Sequence, residues 1–191
     1  MEKTIFLDFD GVLNSNDWYV RRKDHYDMDA HETQYPFYEF DPEAINRLNA
    51  IIELTNAKVV VSSSWRHGRS VEELQMILDT VGFVGEVIDK TVHFGGIDGY
   101  TIPRGCEIEH WLKKKGFQRI NWSIEKQQMY IDKSPVKNYI ILDDDSDMLY
   151  TQKEHFIHTS WKSGLTDELM HKSIEILNST LIDLYYGNTG I

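Results

Sequence analysis

Two acids, Asp8 and Asp10, stand one residue apart where the apolar run Ile5-Phe6-Leu7 stops, in the stretch TIFLDFDGVLN. Such a run belongs in a buried strand, and a carboxylate resists burial unless something offsets its charge. Two other apolar runs end in the same way. Lys58-Val59-Val60-Val61 leads into Ser62-Ser63-Ser64-Trp65-Arg66, and Tyr139-Ile140-Ile141-Leu142 leads into Asp143-Asp144-Asp145-Ser146-Asp147. If the three runs are neighbouring strands of a parallel sheet, their carboxyl ends open on one crevice, where open α/β sheets bind ligands. Carboxylates gathered there raise one another's pKa unless a cation neutralises them. An all-oxygen donor set suits Mg2+, which takes one or two carboxylates together with waters and phosphate oxygens. One of Asp8 and Asp10 is then placed to attack and the other to handle a proton, with Gly11 permitting the turn that brings them to one side. A strand-end serine donates to a phosphate oxygen. Asp143 and Asp144 hold the metal directly and through water.

The elements that must position these groups follow from the pattern. Strand-like runs occur at 3–8, 58–62, 84–88, 138–143 and 155–159, and helical stretches lie between them. Residues 41–56 start with Asp41 as N-cap and Pro42 in the first turn, and Ile45, Leu48, Ile51 and Ile52 form one apolar face. Residues 70–80 carry Ser70 and Glu73 at capping-box spacing, with Gly82 beyond the end. Residues 104–115 set Ile108, Trp111 and Leu112 on one side, and 167–179 form a last helix behind Thr166. The alternation predicts an α/β domain with a mostly parallel central sheet and helices on both faces. The continuous apolar runs at 58–62 and 138–143 fit strands buried on both sides. Two stretches break the rhythm: 15–40, read as at most a small cap or flap, and 118–137, read as an irregular accessory insertion. Both are candidates for substrate contact.

The chain has 191 residues, which suits a single domain over 1–191 with such insertions. No apolar stretch approaches the roughly 18 residues of a membrane span. The start, MEKTIFLDFDG, is too acidic and too briefly apolar for a signal peptide. The single cysteine, Cys106, excludes an intramolecular disulfide and a cysteine-rich zinc site. A cytoplasmic location is expected, with no membrane partner. The net charge of −11 argues against broad, nonspecific binding of nucleic acid. Local basic runs remain at 21–23 and 66–69. The eight histidines lack metal-ligand spacing and read as structural or surface residues.

The motifs resemble those of the haloacid dehalogenase-like hydrolases. DFDGVLN is similar to that superfamily's first motif, D-x-D-G; VVVSSSW to its second; YIILDDDSD to its fourth. The resemblance implies the superfamily's Rossmann-like three-layer α/β/α fold and a phosphatase working with Mg2+ through an aspartyl-phosphate. Carried over by position, Asp8 is the nucleophile and Asp10 the general acid and base. The metal ligands are Asp8, Asp144, the neighbouring Asp143, and Asp10 through its backbone carbonyl. The phosphate-binding candidates are Ser62 or Ser63, Arg104, Arg66 and Asn14. The third motif of that superfamily supplies a lysine. Here the best-placed base is Arg104, in TIPRGCEIEHWL, with Lys90 and Lys113 as fallbacks.

A narrower resemblance rests on DGVLN, SSSWR, RGCEIEHWL, ILDDDSDM and the late Gly164-Leu165-Thr166. Together they are similar to small phosphatase-like domains associated with RNA-repair proteins. That implies a phosphorylated substrate, a nucleotide or a 3′ or 5′ phosphate end of nucleic acid. The alternative is a non-catalytic module that only binds such RNA ends. Trp18, Tyr19, Tyr26, Tyr35, Phe37 and Tyr38 are candidates to stack a base, although at least half are expected simply to pack the 15–40 segment down.

Overall fold

The computed structural model describes residues 2–24, 37–97, 100–116, 121–123, 128–130 and 136–179. Five parallel strands form the central sheet: β1 (Glu2–Leu7), β2 (Lys58–Val61), β3 (Val87–Lys90), β8 (Val136–Asp143) and β9 (Phe156–His158). Their order is β3-β2-β1-β8-β9, so β1 is central. Leu7 is level with Val61 on one side and Leu142 on the other. The three polar strand ends therefore lie side by side.

Alternation along each strand sends successive side chains to opposite faces. Ile5, Leu7, Val59, Val61, Ile140 and Leu142 face a core shared with helices α2 (Pro42–Thr55), α3 (Val71–Thr80) and α5 (Asp167–Asn178). Phe6, Val60, Tyr139 and Ile141 face the opposite layer, where α4 (Arg104–Lys114) packs with Ile108, Trp111 and Leu112. The result is three layers, helix on sheet on helix.

The N-caps are those the sequence predicts, with an unforeseen C-cap at Asn56. Asp41 accepts from the Glu43 N–H, and Asn56 closes α2 in the left-handed region. Ser70 and Glu73 form a reciprocal capping box on α3, and Thr166 caps α5. The third strand begins at Val87 rather than at residue 84, because the preceding residues are tied elsewhere, the Phe83 N–H to Leu78 O and the Val84 N–H to Asn49 Oδ1.

Two segments hold more structure than their sequence suggests. Within 15–40, Ser15 Oγ accepts from the Trp18 N–H and caps a short helix, α1 (Asn16–Arg21), whose Trp18 is buried. A single 3₁₀ turn (Arg22–Asp24) follows it. Within 118–137, β6 (Asn121–Ser123) and β7 (Gln128–Tyr130) pair as an antiparallel ribbon, so this stretch is not irregular throughout. A second small ribbon, β4 (Gly96–Ile97) with β5 (Tyr100–Thr101), lies before α4. Among the described residues no helix is long and apolar enough to cross a membrane.

Phe6 sits edge-on to both Trp111 and Tyr139, with ring centroids 5.3 and 5.8 Å away. Phe6→Ala is expected to cost about 3–5 kcal/mol of stability. Urea unfolding measures it, and a loss below about 1 kcal/mol would mean that this layer is not packed as described.

Candidate active site at the strand ends

The sheet ladder continues one residue beyond each strand and fixes the site backbone. Asp8 N–H donates to Leu142 O at 2.9 Å, and Ser62 N–H donates to Leu7 O at 2.9 Å. Thr159 N–H donates to Asp143 O at 2.9 Å. Asp8, Ser62 and Asp143 are thus held by the main chain at the mouth of one crevice.

Asp8 is 6% exposed. Its Oδ1 accepts from the Phe9 N–H at 2.7 Å, and its Oδ2 lies 3.1 Å from the Arg104 guanidinium. The chain then turns sharply, with Leu13 N–H bonding back to Phe9 O at 2.8 Å. Asn14 ties the turn: its Oδ1 accepts from the Gly11 N–H and its Nδ2 donates to Asp10 Oδ1, both at 2.9 Å. Trp65 Nε1 donates to the other oxygen of Asp10 at 3.0 Å. Asp10 is therefore oriented from two sides. Gly11 has φ +68°, and a Cβ there would lie 2.2 Å from Asp144 Cγ. Only glycine allows both this backbone and the approach of the Asp144 carboxylate.

Asp8, Asp143 and Asp144 each place a carboxylate oxygen within 4.8 Å of the others. Burial, and then the charge of Asp8, push Asp143 up to about 8, with Arg104 pulling the other way. The same two causes raise Asp144. Asp143 Oδ2 is buried without a hydrogen-bond partner. An all-oxygen trio, in which the buried Asp143 Oδ2 is met only by the Arg104 guanidinium at 3.4 Å, fits a hard divalent cation such as Mg2+. Asp10 is not one of the trio.

Arg104 opens α4, where its backbone N–H donates to Asp147 Oδ2 at 2.8 Å. Its side chain reaches Asp8 at 3.1 Å, Asp143 at 3.4 Å and Ser62 O at 2.7 Å. Gly105 lets the helix start pack close, since a Cβ there would meet Leu149 N at 2.5 Å. Burial alone would lower the Arg104 pKa, but Asp8 and Asp143 outweigh it and raise it, so the guanidinium stays charged. Lys90 is engaged with the carbonyls of Arg66 and Arg69, and Lys113 pairs with Glu109 on the surface. Neither fallback lysine occupies the Arg104 position.

The geometry also separates the serines. Ser63 Oγ accepts from the Trp65 N–H and caps the following 3₁₀ turn. Ser62 Oγ is buried and has no partner, so Ser62 is the one with a hydroxyl to offer.

The expectation of a phosphate contact from Arg66 is corrected. Arg66 is 4% exposed and has all five donors engaged. Nε bonds Thr91 O, Nη1 bonds Ser62 O and Ser63 O, and Nη2 bonds Val92 O and the buried Glu107 carboxylate. The sequence places an arginine after the serine run, but the partner that claims it is 41 positions away. The aromatics of 15–40 divide. Trp18 is core, and Phe37 stacks on Phe40 at 6.3 Å. Burial, and then the charge of Asp10, raise the Tyr19 pKa. Arg22 lies between the rings of Tyr19 and Tyr38. Tyr26 and Tyr35 lie outside the described residues. Sequence reading missed the Trp65–Asp10 bond, although Trp65 directly follows the serine run.

Residues 4–170 match the family described as the HAD domain in Swiss Army Knife RNA repair proteins. The chain belongs to this family. Its three-layer fold is that of the haloacid dehalogenase-like superfamily, and membership supports a phosphatase-like hydrolase role. No protein of curated function and no solved structure matches the chain.

Two predictions follow from the buried charges. The unfolded Asp143 carboxyl titrates near 3.8, the folded one near 8. Between these values folding takes up a proton, so metal-free stability is greatest at the acidic end and falls as pH rises towards 8. The thermal midpoint in chelator should therefore drop from pH 5 to pH 8 more steeply in the wild type than in Asp143→Asn. Parallel curves would refute the linkage. Separately, Arg66→Met strands the Glu107 carboxylate and should cost about 3–5 kcal/mol in urea unfolding. Adding Glu107→Leu should recover much of that loss.

Proposed function

We propose that the chain is a Mg2+-dependent phosphatase that hydrolyses a phosphomonoester through an aspartyl-phosphate, on a nucleotide or on a 3′ or 5′ phosphate end of nucleic acid. The observation that carries this reading is the pairing of Asp8, held by the Phe9 N–H and Arg104, with Asp10, oriented by Asn14 and Trp65. Family membership supports the same chemistry.

Asp8 attacks phosphorus through a carboxylate oxygen, forming the acyl phosphate as the ester P–O bond breaks. Asp10, as the acid, gives the leaving oxygen its proton. It then takes a proton from the water that attacks the acyl phosphate, releasing phosphate and restoring Asp8. Arg104 faces Asp8 with a planar pair of donors suited to phosphate oxygens. Ser62 Oγ supplies a further donor. Asp8, Asp143 and Asp144, with the Asp10 carbonyl, would hold Mg2+, which when bound neutralises phosphate charge.

The test is phosphate release with Mg2+ from mononucleotides, 3′- and 5′-phosphorylated RNA and DNA oligonucleotides, and sugar phosphates. Asp8→Asn is expected to reduce release to background, and Asp10→Asn to lower it by about 10²–10⁴-fold. Tight binding of phosphorylated RNA ends by wild type, with no release from any substrate, would instead mark a binding module.

A further inference from the structure

A cavity of about 260 Å³ adjoins the phosphate crevice, and Arg104 forms part of its wall. The same guanidinium contacts Asp8, so whatever fills the cavity lies directly beside the reacting phosphate. The rest of the lining includes Ser64, His67, His93, Gly95, Gly96 and Thr101. It also holds two imidazoles, His67 and His93, with ring centroids 4.3 Å apart and planes tilted by 47°, beside the charged Arg66, Glu107 and Asp147.

The charges on this wall are already matched. Arg66 has all its donors engaged, and Arg104 is held by Asp8, Asp143 and the Ser62 carbonyl. Glu107 pairs with Arg66, accepts from the Phe94 N–H at 3.0 Å and lies 3.3 Å from His93 Nδ1. Asp147 accepts the Arg104 backbone N–H. Partial desolvation, with Arg66 and His93 nearby, holds His67 below the usual histidine range. Among the described residues, Arg104 apart, which faces Asp8, the lining offers no unengaged arginine or lysine to a second phosphate. It offers flat rings, hydroxyls and main chain to a neutral, planar, polar group. Beside His93 and Thr101 in sequence, the rings of Phe94 and Tyr100 are 45% and 78% exposed, an aromatic border for a chain that continues outward.

We propose that this cavity receives the nucleoside bearing the scissile phosphate, its base stacked on the His67–His93 pair; this rests on the phosphatase reading. The site then selects a phosphate attached to a nucleoside over a bare sugar phosphate.

The test is calorimetric titration of the full chain carrying Asp8→Asn, with Mg2+, using adenosine 3′-monophosphate, adenosine 5′-monophosphate, ribose 5-phosphate and inorganic phosphate. At least one nucleotide is expected to bind more tightly than ribose 5-phosphate. Adding His67→Ala and His93→Ala should shrink that preference by about 5–150-fold, the factor equivalent to stacking one base. His67→Phe, which keeps a flat ring, should retain most of it. A preference unchanged by the double alanine variant overturns the proposal, as does equal binding of ribose 5-phosphate and both nucleotides. Phosphate release by wild type is scored separately. Release with no histidine-dependent preference leaves the phosphatase standing without the base site. A histidine-dependent preference without release leaves a nucleotide-binding site and refutes the phosphatase.

Discussion

The repulsion among carboxylates at the end of one sheet governs the architecture around it. Asp8 and Asp143 extend from adjacent strands, and the pairing of those strands fixes their separation. Arg104 lies against both. To deliver that cation, α4 must begin at the crevice, and Asp147 and Gly105 settle where it begins. The second layer of the fold, Ile108, Trp111 and Leu112 against Phe6 and Tyr139, anchors the same helix. Packing and electrostatics therefore depend on a single element.

The three central strands were legible because their apolar runs are buried on both faces, each ending in a polar cluster, whereas β3 and β9 at the edges are only partly buried. The helices were legible through their caps. Asp8, Asp143 and Asp144 stand together as expected because a strand end and a motif coincide at each, whereas telling Ser62 from Ser63 took the geometry of the loop. Arg104 was legible as the basic residue at a helix start. Its contacts became definite only once the sheet order was known.

What the sequence hid was partnership over distance. Arg66 resembles a phosphate ligand when its neighbours are serines, and becomes a buried structural cation once Glu107 is beside it. Asp10 gains its second hydrogen bond from Trp65, on a different strand's loop. Helix α1 is too short for periodicity to reveal, and the β4–β5 ribbon too brief for alternation. His67 and His93 have no motif spacing, since a folded loop and not a helix face brings their rings together.

Arg66 gathers four carbonyls, two from the serine loop after β2 and two from the segment after β3. The serine loop carries the buried, unpartnered Ser62 hydroxyl, and both segments carry a histidine of the neighbouring cavity. One guanidinium therefore rivets the two compartments into a common frame. Their spacing is a fixed ruler, set by the interior of the protein and not by the ligand, and a lysine, with a single ammonium in place of the planar fork, would not reproduce it.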